Sequence, residues 1–182
     1  MKENQRVRLT KHLLRESLIA LLAEKSIHSI SVREICDRAQ INRTTFYQHY
    51  GSPYDLLSDI EDTVLTQIEA CLSGNDARVM DDVRQLTQII NYMDENLALC
   101  RLLINNTIDS RFAERLLKLP NIQRLLGEQL VGGYRNDEID YMYQFIVTGG
   151  FAIIKTWINR DERESPGKIA VLLLRSIGKI LE

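Results

Sequence analysis

The chain has 182 residues, 45 % of them hydrophobic and 26 % charged, with a formal net charge of -2 at pH 7. That is enough for a small domain plus a larger one, each with its own core, and no apolar run reaches the roughly eighteen residues of a membrane span. The charged opening MKENQRVRLTK has no hydrophobic segment after it, and Cys36, Cys71 and Cys100 lie far apart without a C-x-x-C pair, so a cytoplasmic protein with reduced thiols and no membrane association is expected.

Nine glycines and three prolines punctuate the chain, and nowhere do β-branched and polar residues alternate over a strand length, which predicts an all-α fold. The expected helices cover 10–25, 31–38, 43–49, 53–73, 81–94, 97–106, 110–118, 121–131, 138–160 and 166–181, with Ser73-Gly74-Asn75-Asp76 as the clearest break. The stretch 31–50, SVREICDRAQINRTTFYQHY, carries most of the information. Ser31 and Glu34 have capping-box spacing, so a helix starts there. Val32, Ile35, Cys36 and Ala39 give it an apolar face. Gln40 and Ile41 break the pattern, Asn42 is a second N-cap, and the turn is short enough for a helix-turn-helix. The second helix is too short and polar to stand alone; Phe46 and Tyr50, four apart, are its expected anchors. Arg43, Thr44, Thr45, Tyr47, Gln48 and His49 then face outward, a set suited to phosphate oxygens and base edges. Taken alone, the pattern also fits an ordinary helical pair with a solvated face.

An amphipathic helix precedes this unit, and Gly51-Ser52-Pro53 follows it with an N-cap and a proline at the first helical position. Ser31-Val32-Arg33-Glu34-Ile35, Ala39, Ile41-Asn42-Arg43, Thr45-Phe46-Tyr47, His49-Tyr50 and Leu56-Leu57 together resemble the N-terminal domain of TetR-family transcriptional regulators. The resemblance runs from residue 7 to about 60. It implies a three-helix DNA-binding domain over residues 1–52 and a helical effector-binding and dimerisation domain over 53–182. It further implies phosphate contacts for Ser31 and Tyr47, with Thr44, Thr45, Gln48 and His49 nearest the bases or backbone. Where the family usually carries a phosphate-clamping lysine, this chain has Pro53 and Tyr54, so the Tyr54 hydroxyl stands in for it or the N-terminal arm (Lys2, Arg6, Arg8, Lys11) takes over.

Charge is unevenly divided. Residues 1–51 hold nine lysines and arginines against five acids, and 52–182 hold fourteen against twenty. A basic head on an acidic body fits a DNA binder, because phosphate neutralisation supplies most non-specific affinity.

Residues 138–160 are apolar on nearly all sides, which predicts burial on more than one face. Ser165-Pro166 then starts a helix with Ile169, Leu172, Leu173, Ser176, Ile177 and Ile180 on its stripe. These two helices resemble the pair that forms a four-helix bundle in TetR-family dimers. Gly149-Gly150 fits close packing there, since each glycine inside a helix costs roughly 1 kcal/mol relative to alanine. The run Thr148-Gly149-Gly150-Phe151, with Lys155 and Trp157, also resembles the subgroup that includes the dihydroxyacetone-kinase regulator type.

Tyr92, Met93, Cys100, Phe112, Tyr134, Met142, Phe145 and Trp157 are candidates to line an effector pocket, although taken singly each fits ordinary core or dimer interface better. His12, His28 and His49 lack ligand spacing, and no G-x-S-x-G, phosphate loop, Rossmann fingerprint or H-E-x-x-H occurs, so no metal, cofactor or enzyme is expected. The expected protein is a homodimeric regulator of a palindromic double-stranded operator. Either it is a repressor released by a small molecule, or it is a regulator or activator controlled by a protein partner docking on residues 53–182.

Overall fold

The computed structural model describes residues 5–72, 82–105, 111–124 and 136–181. Every regular element among them is helical. The chain divides into two compact units, Met1–Val64 and Leu65–Glu182.

In the first unit, α1 (Gln5–Leu22) buries Leu14, Ser17, Leu18 and Leu21, the spacing of one helical face. It starts at Gln5 rather than residue 10, because residues 5–9 contain neither glycine nor proline and extend the helix beyond its apolar stripe. It ends at Leu22, where the N–H groups of Glu24 and Lys25 both turn back to the Leu21 carbonyl at 3.0 Å. A 3₁₀ turn, Ile27–Ser29, then buries Ile27 and Ile30.

Helix α2 (Val32–Ala39) has the capping box expected of it. The Ser31 N–H reaches Glu34 Oε2 at 3.0 Å, and the Glu34 N–H reaches Ser31 Oγ at 3.3 Å. Ile35, Cys36 and Ala39 are buried. Gln40 closes the helix in the left-handed region (φ 54°). The Ile41 N–H bonds back to the Cys36 carbonyl at 3.0 Å, and Asn42 Oδ1 accepts the Thr44 N–H at 2.9 Å to open α3 (Arg43–Tyr47). That helix stops short of His49, because the His49 N–H bonds the Phe46 carbonyl in a tighter three-residue step. Five residues cannot hold a helix in water; the wholly buried Phe46 and the buried Tyr50 hold this one.

The next helix, α4 (Pro53–Leu72), begins behind Ser52, whose Oγ accepts the Asp55 N–H at 3.3 Å. Leu56, Ile60, Val64, Leu65 and Ile68 are buried along it, and the boundary between the two units falls within it. The break expected at Ser73-Gly74-Asn75-Asp76 lies outside the described residues, as does the Leu72 side chain.

The second unit contains α5 (Asp82–Glu95), α6 (Leu97–Asn105), α7 (Arg111–Leu117), a helical stretch at 120–124, α8 (Asn136–Ile158) and α9 (Pro166–Leu181). Its most extensive helix pairing is α5 on α9. Ile89, Ile90 and Met93 of the one and Ile169, Ala170, Leu173 and Ile177 of the other are buried. Ile146 of α8 and Ile177 of α9 form a buried cluster covered by Met142 and Tyr143. Arg101 of α6 caps the end of α8, donating from Nε to the Ile158 carbonyl at 2.9 Å, while Asn105 and Asn159 exchange two side-chain hydrogen bonds at 2.6 and 2.9 Å. Trp157 is buried, with Nε1 donating to the Glu164 carbonyl at 2.8 Å. Arg163 lies 5.9 Å from the Trp157 ring centroid and pairs with Asp94 at 3.0 Å. All three cysteines are free, and burial pushes the Cys100 thiol up to about 12.

Helix α8 is covered in part within the single chain. Its sequence predicts burial on more than one face, yet Tyr141 (79 % exposed) and Phe145 (58 %) lie open, in line with exposed Thr148, Gly149 and Ala152. The face carrying Ile146, Val147, Trp157 and Ile158 is buried within the chain.

Candidate nucleic-acid interface

The outward side of α3 is set by two buried rings, Phe46 on the helix and Tyr50 just past it. With Phe46 and Tyr50 turned into the core, Arg43, Thr44, Tyr47 and Gln48 are exposed and Thr45 and His49 half-buried. Tyr47 is 59 % exposed, its ring standing edge-on to Phe46 at 5.6 Å, so the phenol points away from the core while its base is braced. These side chains are hydrogen-bond donors and acceptors with one guanidinium, chemistry that suits phosphates and base edges.

Ser31 is exposed, and its hydroxyl is already engaged: it donates to Glu34 Oε2 at 2.8 Å. The Glu34 carboxyl is held down to about 2, first by a hydrogen bond from Lys25 and then by those from Ser31. Tyr54 is 43 % exposed, and its hydroxyl is tied to Nδ1 of His28, a partner too distant in sequence for any spacing rule to reveal. Their rings lie 5.8 Å apart. On the arm, Arg6 and Arg8 are exposed and Lys11 half-buried on α1, while Lys2 lies outside the described residues.

Behind the exposed face stands a network that the sequence did not disclose. Asp59 Oδ2 accepts from Arg15 Nε at 2.8 Å and from the Tyr50 hydroxyl at 2.6 Å. No spacing rule finds such a cluster, because its members sit on α1, on α4 and just past α3.

Residues 84–179 match a family model described as transcriptional regulator C-terminal region, and residues 14–60 match one described as bacterial regulatory proteins, tetR family. The chain belongs to the TetR family. Its head is the family's helix-turn-helix DNA-binding domain. A TetR regulator from Streptococcus agalactiae 2603V is similar over 98 % of this chain and 96 % of its own, with a TM-score of 0.74 at 21 % identity. The dihydroxyacetone kinase operon activator DhaS superposes with a TM-score of 0.57 at 21 % identity, over 94 % of this chain and 96 % of its own. The fatty acid degradation regulator FadR from Bacillus halodurans gives 0.63 at 17 % identity, over 97 % and 96 %. The HTH-type transcriptional regulator YxbF of Bacillus subtilis is 23 % identical over 162 residues, 86 % of this chain; the chain spans 42 % of the length of that relative. At these identities the solved structures bear on the fold alone.

The regulator's body contains a hollow of about 70 Å³ between α5, α7, α8 and α9, lined by Leu86, Met93, Leu116, Ile146, Phe151 and Leu173 among others, and among the described residues no polar side chain lines it. Of the pocket candidates, Met93 lines it. Trp157 lines a second hollow of about 300 Å³, with Ala152, Thr156, Arg160, Glu164 and Leu172. Phe145 stands on the exposed face of α8, while Cys100 and Phe112 are buried and Tyr92 and Met142 half-buried. Tyr134 lies outside the described residues. Helical spacing marks all of these residues alike as apolar, and nothing in it singles out the leucines and isoleucines that line the hollow with Met93 and Phe151. Among the described residues no helix is long and apolar enough to cross a membrane.

Proposed function

We propose that the protein is a homodimeric repressor of a palindromic operator, released when a small molecule binds its body. Residues 1–52 read the DNA, through Arg43, Thr44, Tyr47 and Gln48 with Thr45 and His49 at the edge and Ser31 and Tyr54 toward the backbone. Residues 53–182 dimerise and bind the effector. Dimerisation is supported by the apolar side chains that the single chain leaves open, Tyr141 and Phe145 on α8 and Val171 and Leu172 on α9. Gly149 belongs to this face, where a Cβ would meet nothing within 4 Å in the chain itself. A glycine with no close neighbour in its own chain is explained if a second copy approaches there. A dimer also supplies two heads, as an operator with two half-sites requires.

The observation that carries the effector reading is the hollow in the body, a preformed apolar space in a regulator. The test is to select an operator from random-sequence DNA with the purified protein, establish the stoichiometry by sedimentation, and screen metabolites for loss of binding. Two protomers per palindrome and release by at least one small molecule are expected. A monomer bound at full affinity would contradict the dimer.

A second reading rests on the likeness to DhaS, named an operon activator, and on Thr148-Gly149-Gly150-Phe151. In it the protein activates transcription, with a protein partner on the body in place of the small molecule. A stable heteromer from lysate, together with a melting temperature that no metabolite shifts, favours that reading over the first.

A further inference from the structure

Resting on the effector reading above, we infer that the hollow between α5, α7, α8 and α9 takes the hydrocarbon end of an amphiphile, a short alkyl segment without charge or hydrogen-bonding groups on its buried carbons. The space is about 70 Å³, whereas a single water needs roughly 10–15 Å³ on this kind of measure. Water gains little by entering, because an ordered water requires two or more polar partners and the described residues of the wall, Leu86, Met93, Ile146, Phe151 and Leu173 among them, supply none from their side chains. A buried hydroxyl or carboxylate would be stranded in the same way, which excludes sugars, phosphates and amino acids from the inner space. Size limits the ligand from the other side. A cavity of roughly 150 Å³ holds benzene, so about 70 Å³ takes a chain of a few carbons, with the rest of the amphiphile outside it.

Gly150 gives direct access to the hollow. It lies in the wall, and a Cβ built on it stands 3.8 Å from Leu173 Cδ2, an ordinary contact. Gly150→Ala is therefore accommodated and favours the helix, while Gly150→Leu extends an apolar side chain into the space a ligand would use.

The experiment titrates the full chain and both variants calorimetrically with 1-alkanols from ethanol to octanol. Wild type should bind with affinity rising roughly four-fold per methylene up to the length that fills the hollow and levelling beyond it, with a negative heat-capacity change. Gly150→Leu should melt no lower than wild type and lose binding at least about ten-fold, matching the more than 1.4 kcal/mol that separates a filled site from an open one on that scale. If that variant fails to fold, Gly150→Ala decides, with a smaller loss and a shorter optimal chain. No saturable binding to wild type, affinity that climbs without levelling, or unaltered binding in a folded variant would overturn the inference. Operator affinity measured with the tightest alkanol separates the two levels. Binding that leaves DNA affinity unchanged supports the hollow and overturns the effector reading. Release by a polar metabolite that acts equally on Gly150→Leu overturns the hollow as the effector site and keeps the effector reading.

Discussion

Tyr50 donates its phenol hydrogen to Asp59 Oδ2 at 2.6 Å, on the oxygen that also receives Arg15. One carboxylate thus joins α1, the residue that anchors α3, and α4. Burial, followed by the Asp59 hydrogen bond, holds the Tyr50 phenol well above its usual range. Removing the hydroxyl by Tyr50→Phe leaves the Arg15–Asp59 pair standing and should cost about 0.5–1.5 kcal/mol, whereas Asp59→Ala strands both partners and should cost about 1–3 kcal/mol. Denaturant melts of the two variants check the order. An Asp59→Ala protein as stable as Tyr50→Phe would mean that Asp59 does not organise the cluster.

The two adjacent rings of the recognition helix should respond in opposite ways. Phe46, fully buried, should cost about 3–5 kcal/mol on truncation to alanine and unfold the head. Tyr47→Phe should leave the melt unchanged and weaken operator binding roughly two- to ten-fold, the worth of one hydrogen bond. Circular dichroism with gel shifts reads both, and a folded Phe46→Ala head or an unaffected Tyr47→Phe protein would reverse the assignment of faces.

This face was legible in the sequence because everything that forms it is local. Ser31 and Glu34 cap at three-residue spacing, Asn42 caps two residues on, and Phe46 and Tyr50 share a helical face. Partners on separate helices were not legible, as Tyr54 with His28 and Asp59 with Arg15 and Tyr50 illustrate. Gln40 is a middle case. The sequence marks a turn there, but a glutamine does not announce the left-handed backbone that lets the Ile41 N–H bond back to the Cys36 carbonyl and end α2. In the body, hydrophobic content announced two apolar helices but could not separate residues covered by the chain from those left open. Leu172 and Leu173 are neighbours on one stripe, yet Leu173 is buried and Leu172 exposed.

That difference yields a test of the dimer. Phe145→Glu or Leu172→Glu places a charge on the open face and should give helical monomers in sedimentation with operator binding lost. Leu173→Glu places the charge in the core beside α5 and should lower the melting temperature instead, since a buried unpaired carboxylate is strongly unfavourable. Identical behaviour of Leu172→Glu and Leu173→Glu would remove the distinction on which the proposed interface rests.

Acid should loosen the start of α2. The Glu34 carboxyl is depressed from 4.5 to about 2, chiefly by Lys25, so its contribution is present above the unfolded value near 4.5 and lost as pH falls toward 2. Glu34→Gln should show a shallower loss of melting temperature over that window than wild type and differ little from it in shape above pH 5. Parallel curves throughout would mean the carboxylate contributes nothing to the cap.

The pairing of α5 with α9 also sets a timetable for synthesis. In the first unit α1 pairs with α2 and α2 with α3, neighbours in sequence. In the second unit the apolar face of α5, with Ile89, Ile90 and Met93, gains its main cover only from α9. Short-range pairings close early and long-range ones late. The head can therefore be complete on the ribosome while the body still waits for its last helix, and a transcript broken before Pro166 would release a chain with a finished DNA-binding end and a sticky, unclosed remainder suited to rapid degradation.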